Sequence, residues 1–243
     1  MTRREQLRNK RATQQRQQNY TIYGILAVAA LLIAGLLAWP SISAQITPLS
    51  AAIAPAAITY KQELVDGKNY GPKDAKVVVV EFADFQCPYC GLFSSSVGPI
   101  IKQEFIDAGL SVRMEFRHFV VVDPISSNGE SRSAAQASEC AADQGKFWEY
   151  HDYVYANQDG ENRGHFSAPK LRQLAQSAGL DLAQYDSCVS SSAIAQRVRD
   201  DEVQAKQLNL NGTPTVLING RQVNNPMDVD EIRQTIQAAL ATP

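Results

Sequence analysis

Apolar residues along this chain fall into patterns of different length and period, and each predicts an element. Thr21 to Trp39 is an uncharged run, mostly Ala, Leu, Ile and Val, about as long as a helix needs to cross the hydrocarbon core of a bilayer. Lys76 to Ala83 contains four consecutive valines and predicts a strand buried on both faces, as at the centre of a sheet. After Cys87-Pro88-Tyr89-Cys90 a helical pattern runs from about Pro88 to about Phe105, with a kink expected at Pro99 and a stop at Gly109. Leu110 to Val122 then begins with strict alternation: Val112, Met114, Phe116 and His118 lie on one side, Arg113, Glu115 and Arg117 on the other. That period predicts a strand, parallel to the first through the intervening helix.

The middle of the chain has helical spacing throughout. Ser131 to Ala156 reads as one long helical region, with Phe147, Tyr150 and Val154 three and four apart and Trp148 beside them. A helix starts at Ser167 and Pro169 and ends at Gly179, a short one spans Asp181 to Ser190, and a charged one spans Ser192 to Leu208. Thr213 to Ile218 is a strand entered through Pro214. Asn219-Gly220 is a two-residue hairpin signal, so Arg221 to Val223 should return antiparallel. Asp228 to Ala241 closes the chain as a helix with Val229, Ile232, Ile236 and Leu240 on one stripe. The order is strand, helix, strand, several helices, strand, hairpin strand, helix: an α/β core interrupted by a helical block. There is no internal repeat. Pro40 to Ala57, rich in Ala, Ser, Ile and Pro, reads as a tether, and part of Ile58 to Asp74 can pair as an edge strand.

Charge changes the picture at the N-terminus. The net charge is only −2, but Arg3, Arg4, Arg8, Lys10, Arg11 and Arg16 precede the apolar run, opposed by Glu5 alone. Basic residues before a span keep that end in the cytoplasm, and Tyr20, Tyr23 and Trp39 sit where amphipathic rings favour the interface. A cleaved signal peptide is the competing interpretation, with Ser41-Ile42-Ser43 offering small residues to a peptidase. Either way the bulk of the chain lies outside the cytoplasm, where disulfides persist. The remainder, with 17 basic and 24 acidic side chains, is mildly acidic, and nothing there suggests a nucleic-acid surface.

All four cysteines, Cys87, Cys90, Cys140 and Cys188, follow the span, and an even count fits two disulfides. Cys87 and Cys90 stand where a buried strand meets the first turn of a helix. There the unpaired N–H groups and the helix dipole stabilise a thiolate, the reactive form. Cys140 and Cys188 lie in the helical block. As a structural pair they would close a loop worth about 4 kcal/mol in the entropic model; two free thiols or a second redox relay are the alternatives. Glu81 is costly to bury without a partner; a place at the sheet edge, exposed or paired with Lys76 or Arg117, is the competing reading. Asp84 caps or faces solvent. His118, His151 and His165 are scattered without ligand spacing, so no catalytic zinc site is expected; metal binding by Cys87 and Cys90 is a weaker alternative. Phe147, Trp148, Tyr150 and Tyr153 are expected to fill the core of the block.

Glu81-Phe82-Ala83-Asp84-Phe85-Gln86-Cys87-Pro88-Tyr89-Cys90, the helical insertion and the later Gly212-Thr213-Pro214-Thr215 together resemble the DsbA-type thiol–disulfide oxidoreductases, specifically the membrane-anchored, extracytoplasmic branch, over about Tyr70 to Leu240. The resemblance implies a thioredoxin-like α/β fold with an inserted α-helical domain, preceded by a single N-terminal transmembrane helix. It divides the chain into a basic cytoplasmic tail (1–19), an anchor or uncleaved signal (20–39), a tether (40–69), a thioredoxin-like domain in two parts (70–125 and 209–243) and a helical insertion (126–208). It implies that Cys87 is the nucleophile and Cys90 the buried resolving thiol, tuned by Pro88 and Tyr89. Tyr89 stands where some relatives carry His, which leaves the oxidising strength open. Pro214 matches the family's cis-proline, with Thr213 presenting its backbone to an extended client. Glu81 matches a buried acid that assists proton transfer near Cys90. The implied function is introduction of disulfides into exported cysteine-containing proteins, with a membrane quinone-linked thiol oxidase as reoxidant. No cofactor beyond the cysteine pair is implied. A reductase or isomerase, or a tethered holdase without turnover, are the alternatives.

Overall fold

The computed structural model describes residue 54, residues 58–123 and residues 129–242. The stretch expected to span a membrane, 20–39, lies outside these residues; among the described residues no helix is long and apolar enough to cross a membrane.

Among the described residues six strands form one sheet: β1 (Val65–Asp66), β2 (Asn69–Tyr70), β3 (Val77–Ala83), β4 (Val112–His118), β5 (Thr215–Ile218) and β6 (Arg221–Gln222), in the order β1-β2-β4-β3-β5-β6. β3 and β4 are parallel, with Val77 opposite Val112 and Ala83 opposite His118. β5 runs antiparallel to β3, with Thr215 opposite Phe82. The sheet thus takes in Val65 and Asp66, part of the stretch assigned to the tether, because β2 adds an antiparallel edge to β4.

The valine run is less symmetrically buried than its sequence predicts. Val77, Val79, Glu81 and Ala83 share one face and are fully covered, whereas Val78 and Val80 on the other are half-buried. The covered face meets the main core, which includes Phe93 and Val97 on α1 (Pro88–Ile100) and Ile101 just beyond it. Each such side chain contributes about 1.5–3 kcal/mol through burial. The second face carries a small cluster of Phe82, Phe119, Ala205 and Leu217.

Pro99 lies inside α1, and the helix continues as a π-helix over Ile101–Ile106. Proline lacks the N–H that a regular turn needs. The widened turn closes with the Asp107 N–H donating to Lys102 O at 2.7 Å, so the expected kink is accommodated as a change of helix type.

The helical block contains α2 (Glu130–Asp143), α3 (Phe147–Ala156), α4 (Ala168–Ser177), α5 (Leu182–Val189) and α6 (Ser192–Gln207), and α7 (Val229–Ala241) follows the hairpin. The single region expected over Ser131–Ala156 is two helices. Gly145 takes φ +66°, the Gly145 N–H reaches Ala142 O at 3.0 Å and the Lys146 N–H reaches Ala141 O at 2.8 Å. This left-handed cap satisfies the last carbonyls of α2 and turns the chain. At the hairpin, Asn219 and Gly220 both have positive φ, as a two-residue β-turn of the primed type requires.

Candidate active site

β3 carries the chain to the site and Asp84 fixes the turn beyond it. The Asp84 carboxylate is buried and accepts from the N–H groups of Gln86 at 2.9 Å, Val121 at 2.8 Å and Val122 at 2.9 Å. Its own carbonyl accepts the Cys87 N–H at 3.0 Å. One side chain thus ties the end of β3 to the loop after β4. It does not face solvent.

Cys87 occupies the N-cap of α1 and Pro88 the first helical position, where a missing N–H costs nothing. The N–H groups of Cys90 and Gly91 donate to Cys87 O at 3.1 and 3.2 Å. Both thiols are free; Cys90 is fully enclosed and Cys87 is 6% exposed. Tyr89 projects outward, 63% exposed, with Leu92 and Val121 as further exposed apolar side chains. Thr213-Pro214 is a cis peptide, and the Cys87 sulfur lies 3.3 Å from Thr213 O. The Thr213 hydroxyl is buried, with no partner other than the Cys87 sulfur among the described residues.

These surroundings separate the two thiols. A hydrogen bond from the Cys90 thiol holds the Cys87 pKa down to about 6; burial opposes it, and the Thr213 hydroxyl and the N–H groups of Cys90 and Tyr89 reinforce it. The Thr213 carbonyl works the other way, because it can accept only from the protonated thiol. Cys90 is pushed well up by burial, then by its bond to Cys87 and by the Glu81 charge. The result is one thiol that ionises near neutrality beside one that keeps its proton.

Glu81 is fully buried on the covered face of β3, and neither carboxylate oxygen has a hydrogen-bond partner among the described residues. Lys76 and Arg117, its expected alternatives, are engaged elsewhere: Lys76 Nζ donates to Leu240 O at 2.7 Å and Arg117 pairs with Glu115 at 2.6 Å. Burial pushes the Glu81 carboxyl well up, and the Cys87 charge adds to it. Burial thus favours the protonated form of a carboxyl close enough to feel both thiols.

The sequence carries no local sign of the polar frame around these residues. Gln86 is fully buried and donates to Asp123 at 3.0 Å and to Ser131 Oγ at 2.9 Å. The Asp123 carboxylate also accepts the Ser131 and Arg132 N–H groups, at 2.9 and 2.8 Å, and so satisfies the start of α2. Tyr155 on α3 donates to Asp84 O at 3.3 Å, and Gln158 donates to Phe85 O at 2.8 Å and Cys87 O at 3.0 Å. The helical block therefore touches the thiol loop directly.

Cys140 and Cys188 are bonded to each other, with sulfurs 2.07 Å apart and a sequence separation of 48. His118 is brought together with Glu139 and Asp201, which sequence spacing does not reveal. A cation already sits among them: Lys68 Nζ lies 2.5 Å from Glu139 and pairs with Asp201. Burial alone would raise the Glu139 carboxyl, but His118 and Lys68 hold it down to about 2. The group is an ionic network joining β4, α2 and α6.

A strand delivering two unlike thiols to a helix N-terminus, opposite a cis-proline, is the arrangement of one fold family. The family model described as thioredoxin matches residues 64–238, and the chain belongs to that family. Within it the chain is of the DsbA type. BdbD from Bacillus subtilis, in its oxidised form, superposes with a TM-score of 0.66 at 28% identity, covering 79% of this chain and 99% of that one. DsbA from Mycobacterium tuberculosis, in its reduced form, gives a TM-score of 0.55 at 25% identity over 72% of this chain and 99% of its own. Among curated proteins, a probable disulfide bond formation protein D of Bacillus anthracis is 31% identical over 175 residues, 71% of this chain and 78% of the relative. The Na(+)/H(+) antiporter NhaA 3 of Salinispora tropica is 34% identical over 172 residues, 71% of this chain but 24% of the antiporter. The chain thus spans about a quarter of the antiporter relatives it matches.

Proposed function

We propose that this chain is an extracytoplasmic thiol–disulfide oxidoreductase that introduces disulfides into exported proteins through Cys87 and Cys90, held at the membrane by the apolar helix 20–39. The observation that carries the proposal is the asymmetry of the two thiols. A Cys87 pKa of about 6 makes its thiolate stable at neutral pH, and a stabilised reduced form is a stronger oxidant. The Cys140–Cys188 bond fits an oxidising compartment.

The oxidised enzyme starts with a Cys87–Cys90 disulfide. A client thiolate attacks the Cys87 sulfur, the bond to Cys90 breaks, and Cys90 leaves as a thiolate that takes a proton. Glu81, buried and neutral, is the group beside it able to give that proton. A second client thiolate then attacks the client sulfur of the mixed disulfide and Cys87 leaves. Its low pKa makes it a good leaving group. The client loses two electrons and the cysteine pair gains them. The half-buried backbone at Thr213 and cis-Pro214 holds the client as an added strand, while Tyr89 and Pro88 shape the entrance. A quinone-linked thiol oxidase in the membrane would restore the disulfide.

The test is stoichiometric. Oxidised protein mixed with a reduced, unfolded client should remove two client thiols per chain and yield free Cys87 and Cys90. Client thiols left intact, with capture of the client undiminished in Cys87→Ala, would favour the holdase. Reduction of client disulfides by the dithiol form as the dominant reaction would favour the reductase or isomerase.

A further inference from the structure

The loop Asn157–Phe166, between α3 and α4 in the helical block, contacts three consecutive residues of the thiol site. Gln158 Nε2 donates to Phe85 O at 2.8 Å and to Cys87 O at 3.0 Å. The Asn162 N–H donates to the Gln86 side chain at 2.5 Å. Phe85 O receives no backbone N–H among the described residues, so Gln158 is its donor. Cys87 O also accepts the first-turn N–H groups of Cys90 and Gly91. The orientation of this carbonyl sets the peptide plane from which α1 begins.

Gly91 completes the arrangement. A Cβ at that position would lie 2.8 Å from Gln158 Oε1, so a side chain there would push the glutamine amide out of its present place. The neighbouring Asn157 is pinned in turn, accepting the Ala54 N–H at 3.0 Å and donating to Ala54 O at 3.1 Å and Tyr153 O at 2.8 Å.

We propose that Gln158 is a positioning residue for the thiol pair: by holding the Phe85 and Cys87 carbonyls, it fixes the peptide plane from which α1 begins, and with it the place of the Cys87 sulfur at the helix N-terminus. The helical block is then part of the redox site, since its loop sets how well the helix terminus receives a thiolate. This role rests on Cys87 being the reacting thiol.

The experiment is a pH titration of Cys87 by alkylation rate, with thiolate absorbance beside it, in the parent chain, Gln158→Ala, Gly91→Ala and the double variant. The parent should titrate near 6. In Gln158→Ala the midpoint should rise by about half a pH unit or more, and the equilibrium constant for oxidising glutathione at pH 7 should fall about threefold. Far-UV circular dichroism and Tm should stay near the parent's. Gly91→Ala favours helix intrinsically, so it carries the test if Gln158→Ala folds poorly. It should shift the midpoint the same way, and add little in the Gln158→Ala background. Folded variants that titrate and equilibrate as the parent does would overturn the role of Gln158. A parent thiol titrating at the ordinary value would overturn the assignment of Cys87 itself, and this role with it.

Discussion

The chain's two cysteine pairs occupy opposite ends of helices. Cys87 caps the N-terminus of α1, and Cys90 lies one turn in. Cys140 and Cys188 sit in the last turns of α2 and α5. At an N-terminus, unpaired N–H groups favour a thiolate; at a C-terminus, unpaired carbonyls oppose one. Acidic neighbours deepen the difference, since Glu139 precedes Cys140 and an Asp143 oxygen lies 4.0 Å from the Cys188 sulfur. A disulfide opens by expelling a thiolate, so the first pair is built to exchange and the second to stay closed. The loops they bridge differ as well: a three-residue separation constrains the unfolded chain little, whereas 48 residues constrain it strongly. One residue type serves chemistry in one region and stability in the other because of helix polarity and loop length.

The sharpest way to break this comparison is to remove one sulfur from each pair. Cys87→Ala should abolish client oxidation in a thiol-consumption assay while leaving the thermal transition largely in place. Cys90→Ala, offered a client that already carries a disulfide, should instead accumulate the mixed disulfide formed when the Cys87 thiolate attacks that bond and expels a client thiolate, visible on a non-reducing gel. Replacing both Cys140 and Cys188 with Ala should lower stability by roughly 2–5 kcal/mol in denaturant unfolding, yet leave the Cys87 midpoint near 6. A shifted midpoint would mean that the two pairs are coupled.

Glu81 gives a smaller effect with a defined sign. Its folded pKa is raised, so the native state keeps a proton that the unfolded chain releases above about 4.3. Stability therefore falls as pH rises through that window, by at most about 1.4 kcal/mol per pH unit. Glu81→Gln should remove this slope, stabilising the protein at neutral pH while slowing proton delivery to Cys90. Unfolding curves from pH 4 to 8 for both chains check the sign.

Thr213→Val should have the smallest effect. It deletes the hydroxyl that favours the Cys87 thiolate and keeps the opposing carbonyl, so the midpoint should climb from about 6 by less than roughly one pH unit. Because the Cys87 value is depressed, its thiolate stabilises the reduced fold fully above the ordinary thiol value, about 8.5. That contribution is lost as pH falls through the folded midpoint. Thr213→Val should therefore narrow the window over which reduced-form stability depends on pH.

How much of this was legible in the sequence varies with the range of the interaction. The β3–α1 junction, the Asn219-Gly220 turn and the alternation of β4 are local patterns, and the residues announce them. The break between α2 and α3 was also written locally, in Gly145, but helical spacing on both sides of it masked the stop. The half-covered second face of β3 was not legible, because a run of valines looks the same whether one face is packed or two. Asp84, Gln86 and Gln158 were hidden for a different reason: their partners lie 37, 45 and 71 residues away, and a buried polar contact at that distance has no period to detect. Glu81 showed the reverse problem, since sequence offered it Lys76 and Arg117 as partners and the fold supplied neither.

The measurement that bears most directly on the central claim is the reduction potential of the Cys87–Cys90 pair, taken by equilibrating the protein with defined glutathione mixtures at pH 7. A thiolate stabilised at the start of α1 should place the potential well above the roughly −270 mV of thioredoxin, toward the oxidising end of the family. A value at or below thioredoxin's would contradict the account and make the pair a donor of electrons.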